Sequence, residues 1–485
     1  MIIKRKIFLI ILIMGTCRLY AELSPAIEVR AVWLTTNYGL DWPHNRTSVE
    51  AQKQELRTIL DKLKHHNFNT VFFQTRTRGE VLYRSRIEPM ASVVAKSKKG
   101  EPFFDPLAFA VEECHKRGLE CHAWFVTYPL GDNRRVRQLG NQSVVKKHPA
   151  ITKQFNGEWY LDPGNPQTDE YLLSMIKEIV NGYDIDGIHF DYIRYPDRNA
   201  QFPDHDTYRL YGKGENKLRW RRENINRLVT KLYTSVKRQK LWVQVSSSPL
   251  GRYRVVNGKG YGWTALETVH QDAATWLKSG KHDALYPMMY YKGQLFYPFL
   301  DDWIANSNDR ILVPGLGAYQ MIELGWNRGE ITNQIDYTRR KKIAGQAYFR
   351  AENILSNTKG ILFSLKSYYH YPAKLPAMTW LHATPPSGAC DLTAEKFANG
   401  VFRLQWKNQD KHARVTYNVY RSETDTFSLD NPKQLLATGL RKPMFEFIPT
   451  DNDKAYYYTV TVSDSYHNES DTCFAAFFFH SDIIK

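Results

Sequence analysis

At 485 residues the chain is too long for one ordinary hydrophobic core, so at least two domains are expected. Hydrophobic content of 42% against 24% charged residues excludes a disordered or fibrous protein. The formal charge of +16 suits an anionic polymer such as wall glycan, phosphorylated wall polymer or nucleic acid, and equally a basic surface kept for solubility.

The first element is a leader. Lys4, Arg5 and Lys6 precede an apolar run at residues 7–14 that is too short to cross a bilayer and has the form of a secretory signal. Cleavage after Ala21 would remove residues 1–21 and lower the formal charge to +12. Cys17 offers a second outcome, a lipid anchor, although Thr16 and Met14 make a poor lipobox. Both outcomes export the mature protein, to the periplasm or as an outer-membrane lipoprotein, with membrane attachment only through lipid at Cys17.

From residue 27 to about 367, short β-rich runs alternate with amphipathic helical windows. The predicted strands are EVRAVWLTT (28–36), TVFFQTR (70–76), LECHAWFV (119–126), IDGIHFD (185–191), LWVQVSSS (241–248), DALYPMMYY (283–291), ILVPGLGAY (311–319) and IAGQAYF (343–349). Between the first two, Leu56, Ile59, Leu60 and Leu63 share one helical face, and the next helix opens with Asp105-Pro106 and closes at Gly118. Eight strand–helix pairs predict a (β/α)8 TIM-type barrel over residues 22–382. A doubly wound sheet lacks support, because no Gly-rich phosphate turn follows any strand. After HATPPSGAC (382–390) the pattern becomes short alternating strands, and residues 383–485 are expected to form a fibronectin type III-like β-sandwich.

Cys114 and Cys121 fall on a predicted helix and the next strand as buried thiols. Cys390 and Cys473 bracket the C-terminal region and are candidates to pair in an oxidising compartment. No Cys/His cluster has zinc spacing, and no cofactor or metal is expected.

In such a barrel the C-terminal strand ends converge on one mouth. Read in order they give Trp33; Arg76, Arg78 and Glu80; His122 and Trp124; His189, Asp191, Tyr192 and Arg194; Gln244 and Ser248; Tyr290 and Tyr291; Gln320 after Tyr319; and Glu352 after Arg350. Aromatic faces for sugar C–H surfaces, amides and guanidinium groups for hydroxyls, and carboxylates for acid/base work together point to a carbohydrate site. Phosphate chemistry would need a backbone anion nest or a magnesium carboxylate cluster, and neither is visible; the expected partner is a polysaccharide or peptidoglycan glycan, with no nucleic acid. Duller roles compete: Trp33 and Trp124 as barrel filler, His122 and His189 as hydrogen-bonded core groups, Arg76 and Arg78 as ion-pair partners of Glu80. Asp186 begins its strand and is assigned a structural role. Asp191 closes a buried strand, where a carboxylate needs a partner or a function.

The ordered motifs, FNTVFFQTRTRGEVLYRSRIEPMA, DPLAFAVEECHKRGLECHAWF, YLDPGNP, DGIHFDYIRYP and QDAATWLKSGKHDALYPMMYY among them, resemble the glycosyl hydrolase-like 10 family from about Glu28 to Trp380. The resemblance implies a bacterial envelope protein that hydrolyses glycosidic bonds, with some relatives associated with peptidoglycan, including strands stripped of stem peptides. It places the leading catalytic acid at Asp191. Glu80 stands where the family commonly has Asp. Two-carboxylate hydrolysis needs a partner, for which Glu352 is preferred, then Glu80, then Glu323; a substrate acetamide is the alternative nucleophile. Arg76, His122 and Tyr290 would tune these groups and grip hydroxyls or an acidic lactyl group. Two rival readings stand beside this one: a non-catalytic glycan-binding protein, and a scaffold acting through its sandwich.

Overall fold

The computed structural model describes residues 24–97, 103–409, 414–449 and 455–473, and the backbone of 476–479. The leader and Cys17 lie outside the described residues.

Eight parallel strand positions form the first domain: β1 (Val29–Leu34), β2 (Thr70–Arg76), β3 (Glu120–Val126), β4 (Gly187–Asp191), β5 (Gln244–Ser247), β6 (Ala284–Leu285), β7 in two pieces (Ile311–Leu312 and Gly315–Gly317) and β8 (Gly345–Phe349). Each pairs with its neighbour in sequence, and β8 returns to β1 through Val29↔Gly345 and Val32↔Tyr348. β6 pairs with the first piece of β7 at Ala284↔Ile311, and Met288, three residues beyond β6, bridges Gly315 of the second piece, so the ring closes. Pro314 divides β7 because it has no N–H for the ladder, although its carbonyl still accepts from Ala347 N at 3.1 Å. This is the expected (β/α)8 barrel.

The helices form where sequence signals place them. Val49–His65 starts at Ser48, whose hydroxyl accepts from Ala51 N, ends on Lys62, Lys64 and His65, and buries Leu56, Leu60 and Leu63. Pro106–Lys116 starts at Asp105, which accepts from Ala108 N, with proline in its first turn.

Ring-bearing side chains fill the barrel. Phe72 stacks on His189 at 4.2 Å, and Tyr286 meets Phe72 edge-on at 4.7 Å. Trp33 Nε1 donates to His189 Nε2 at 3.2 Å. Because an indole only donates, the His189 proton sits on Nδ1, facing Ser246 Oγ at 2.9 Å. Burial drives the His189 pKa well below the usual range, so the ring is neutral. Met378, from the segment after the barrel, is buried in this same interior cluster.

The second domain pairs a three-stranded antiparallel sheet (Ala389–Lys396, Phe402–Asn408, Met444–Phe447) with a four-stranded one (Leu435–Leu440, Thr416–Ser422, Ala455–Ser463, Ala476–Phe479). Their inner faces share a core that includes Phe402, Leu404, Trp406, Val419, Tyr458 and Val460, giving the expected sandwich. Cys390 and Cys473 are both free thiols, against the expected pairing. Cys390 lies on the three-stranded sheet with its thiol toward Lys407 O, whereas Cys473 Sγ accepts from Val460 N in the four-stranded sheet. Cys114 and Cys121 are buried thiols, as expected.

The sandwich docks on the barrel end opposite the mouth. Asp186 accepts from Cys121 N at 2.9 Å, lies 2.8 Å from His115 Nε2, and receives Arg441 at 2.6 Å and Arg414 at 3.1 Å from the sandwich. Glu120 holds His467 at 2.6 Å and His122 at 2.9 Å. Gly118, at φ +63°, packs where a Cβ would come within 2.8 Å of Thr438 O, so no larger residue fits this seam. Burial alone would raise Asp186, yet Arg441, His115 and Arg414 hold it well below the carboxylate range. Its predicted structural role stands.

Candidate active site

Asp191 is the last residue of β4 and is 5% exposed. Trp124 Nε1 donates to its Oδ2 at 3.2 Å and its own neighbour, Tyr192 N, to Oδ1 at 2.8 Å. Burial is the largest influence and raises its pKa, outweighing Tyr192 N–H, Arg194, the Ser248 hydroxyl and Trp124, which favour the anion. Among the described residues Asp191 forms no ion pair, whereas three other acids near the strand ends are each bound by arginine: Asp41 by Arg350, Glu80 by Arg135 and Glu88 by Arg76. A buried carboxyl held by uncharged donors, with its pKa raised, is suited to carry a proton to a leaving group.

Tyrosines surround it. Tyr290 is pushed well above the usual phenol range, first by burial and then by Asp191, with Tyr319, Tyr192 and Tyr291 adding to the shift. It therefore stays a neutral hydroxyl. Tyr319 meets Tyr290 edge-on at 5.5 Å, and Phe349, at the end of β8, lies 5.6 Å from both rings and 6.4 Å from Trp124. Tyr192 takes φ +51°, and Arg194 stacks on its ring at 4.8 Å and on Trp263 at 5.5 Å. Gln320 donates to Tyr319 Oη at 2.9 Å. Tyr291 carries Arg252 over its ring at 4.7 Å. Asp191, Trp124, Tyr192, Arg194, Ser248, Tyr290, Tyr291 and Gln320 are thus gathered on one end of the barrel.

Other predicted site residues fall elsewhere. Arg76 is fully buried in a two-point pair with Glu88 at 2.8 and 2.6 Å; the register irregularity between Gln74 and Arg76 turns it onto Phe125, away from the mouth. His122 sits level with Gly187, at the start of β4, and bonds Glu120 at the sandwich-facing end. Gln244 opens β5 and approaches Met378 Sδ and Tyr286 Oη at the same end. Trp33 and His189 belong to the packed interior, as the core reading of both proposed. Glu80 is braced by Arg135 at 2.6 Å and by Ser92 N at 3.0 Å, and Arg78 pairs with Glu158 rather than Glu80, at 2.5 Å. Strand alternation put these side chains inside the barrel or near its ends but could not give their height along its axis.

Glu352 stands exposed in the short helix Ala351–Leu355, and its backbone N–H donates to Asp41 Oδ1 at 2.9 Å. It makes no hydrogen bond to Asp191. Glu323 is exposed beside Tyr319 and adds to the rise of that phenol, whose pKa burial first lifts to about 12. Asp41, Phe349 and Trp263 went unrecognised in the sequence. Asp41 carried no signal, since it lies in a loop with neither period nor motif; Phe349 ended a predicted strand and was legible by the same rule that found Asp191. Among the described residues no group of three or more His, Cys, Asp or Glu is placed to hold a metal.

A closed (β/α)8 barrel with one buried carboxyl in a ring of aromatic side chains at its C-terminal end defines a TIM-barrel glycoside hydrolase. The chain belongs to the glycosyl hydrolase-like 10 family, whose profile matches residues 28–309. Glycosyl hydrolase YngK of Bacillus subtilis (strain 168) is 32% identical over 499 residues, covering 96% of both chains. Glycosyl hydrolase DigH of Escherichia coli (strain K12) is 30% identical over 367 residues, 67% of this chain and 83% of that protein. Among solved structures, the PgaB (BpsB) glycoside hydrolase domain from Bordetella bronchiseptica has a TM-score of 0.49 and 14% identity, covering 70% of this chain and 99% of its own.

Proposed function

We propose that this glycoside hydrolase cleaves peptidoglycan glycan strands or a related amino-sugar polymer of the bacterial envelope. Asp191 is the proton donor to the glycosidic oxygen, and its raised pKa at the closed end of β4 is the observation that carries the assignment. Tyr290, kept neutral, donates to an oxygen of the bound sugar. The second role falls to Glu352, as base to a water, or to the acetamide of the substrate itself, in which case one enzymic acid suffices. The exported location, by signal cleavage or a lipid at Cys17, belongs to the same proposal and would place the enzyme with this polymer.

The rival reading, a glycan-binding protein without catalysis, draws on one observation: the Glu352 carboxyl is exposed and makes no hydrogen bond to Asp191. Wall glycan stripped of peptides and chitin oligomers, incubated with wild type and with Asp191→Asn, separate the two. The hydrolase reading expects new reducing ends from wild type and release about 10³-fold slower from the variant, with binding kept by both. Binding without reducing ends from any glycan would establish the rival.

A further inference from the structure

We propose a distal subsite for an acidic sugar on the β1–β2 side of the barrel mouth, read by Arg46 and Arg134. It rests on the saccharide reading of the mouth and adds the charge of the substrate. A cavity of about 280 Å³ opens there, large enough for one sugar ring, lined by Asn37, Tyr38, Arg46, Arg134, Arg135 and Gln138 among others. Thr36 and Asn37 lie just beyond the end of β1 at Leu34, so the cavity opens at the same end of the barrel as Asp191 and lies on a different side of the mouth from β4.

Its parts divide into a fixed frame and free groups. Arg135 is the frame: its guanidinium holds Glu80 at 2.6 Å and Asn37 Oδ1 at 3.1 Å, and it stacks under Tyr38 at 5.0 Å. With one face on Arg135, the Tyr38 ring is 59% exposed at φ +57°, a left-handed conformation that holds it out on the rim. An exposed ring with a braced rear face is a stacking platform for a sugar. Arg46 bonds only Tyr38 O, at 2.9 Å, and Arg134 makes no hydrogen bond or ion pair with any described residue. The one carboxylate lining the cavity, Asp132, accepts from Arg135 N at 2.8 Å as the cap of Asn133–Leu139. With Glu80 neutralising Arg135, the cavity keeps two guanidinium groups paired with no acid among the described residues, beside the Asp132 carboxylate. That balance, next to amide and ring groups, fits a saccharide bearing a carboxylate better than a neutral one.

Calorimetric titration of the Asp191→Asn protein, which on this reading cleaves too slowly to consume the probe, tests the subsite. One probe is a chain alternating N-acetylglucosamine with N-acetylmuramic acid whose lactyl carboxylate is free; the other is the same chain after reduction of that carboxylate to an alcohol. The acidic chain is expected to bind about tenfold more tightly, with a salt dependence that the reduced chain lacks. Arg46→Ala/Arg134→Ala should abolish the difference and leave the reduced chain unaffected, while Arg46→Lys/Arg134→Lys, which keeps the charge, should retain most of it. Equal affinity for both chains, no binding of either, or a preference surviving the alanine pair would each overturn the subsite. Preference without cleavage by wild type supports the subsite while the hydrolase reading falls; cleavage without preference sinks the subsite alone.

Discussion

Asp186 and Asp191 are close in sequence, one just before β4 and one at its end, both nearly buried, yet their pKa values move in opposite directions. Burial pushes both up. At Asp186 that push is beaten by His115 and by Arg414 and Arg441 from the sandwich; at Asp191 only a backbone N–H, an indole, a hydroxyl and a more distant arginine oppose it. The same residue type at the two ends of one strand is therefore held ionised at one end of the barrel and has its proton favoured by burial at the other. What differs is the supply of bonded cations.

The largest expected break is chemical. Asp191→Asn should lower kcat by about 10³-fold, roughly 4 kcal/mol of transition-state stabilisation, as measured by reducing-end release. Its melting temperature should hold or rise at neutral pH, since an acid with a raised folded pKa loses stability as pH climbs through 3.8 toward that higher value. The reverse pattern is expected at the other end. Asp186→Ala leaves Arg441 without its acid and Arg414 with Asp184 alone, and should cost about 3 kcal/mol in denaturant unfolding, with kcat of the folded protein little changed.

The clasp should also have a pH window. Glu120 is half-buried, and desolvation would raise it, but His467 and His122 hold its pKa down to about 2; its stabilisation is complete above 4.5 and is lost as pH falls toward 2. His467 is opposed by burial and raised by Glu120, so its stabilisation is complete below 6.5 and fades as pH rises through the raised value. Proteolysis between barrel and sandwich, around residues 383–388, should therefore be slowest between these limits, and His467→Ala should remove its dependence on the alkaline side. The smallest effect belongs to Trp124→Phe. Losing the indole donor should weaken kcat/KM about tenfold and move the basic limb of the pH–rate profile upward, because one group favouring the anion is gone.

The fold was largely legible. Apolar runs alternating with capped amphipathic windows fixed eight strand positions, and the strand-end rule found Asp191, which closes β4, and Tyr192, Arg194 and Tyr290, which follow β4 and β6 on the loops at the same end. The same rule misplaced His122 and Gln244, which begin their strands, and could not foresee that Arg76 would turn at an irregularity to meet Glu88. Glu352 was found as an acid after β8, but whether it reaches the chemistry depends on a helix turn that sequence does not orient.

The amino-acid sequence by itself determined the barrel, the sandwich and the position of Asp191 at the end of β4, because periodicity and burial act locally along the chain. Only the tertiary structure decided which acids are paired. Glu80 found Arg135, Asp41 found Arg350, Glu88 found Arg76 and Asp186 found Arg441, partners from 12 to 309 positions away. Asp191 was left without one, and it is this long-range allotment of cations, set by how the strands close, that separates a structural carboxylate from one able to hold a proton.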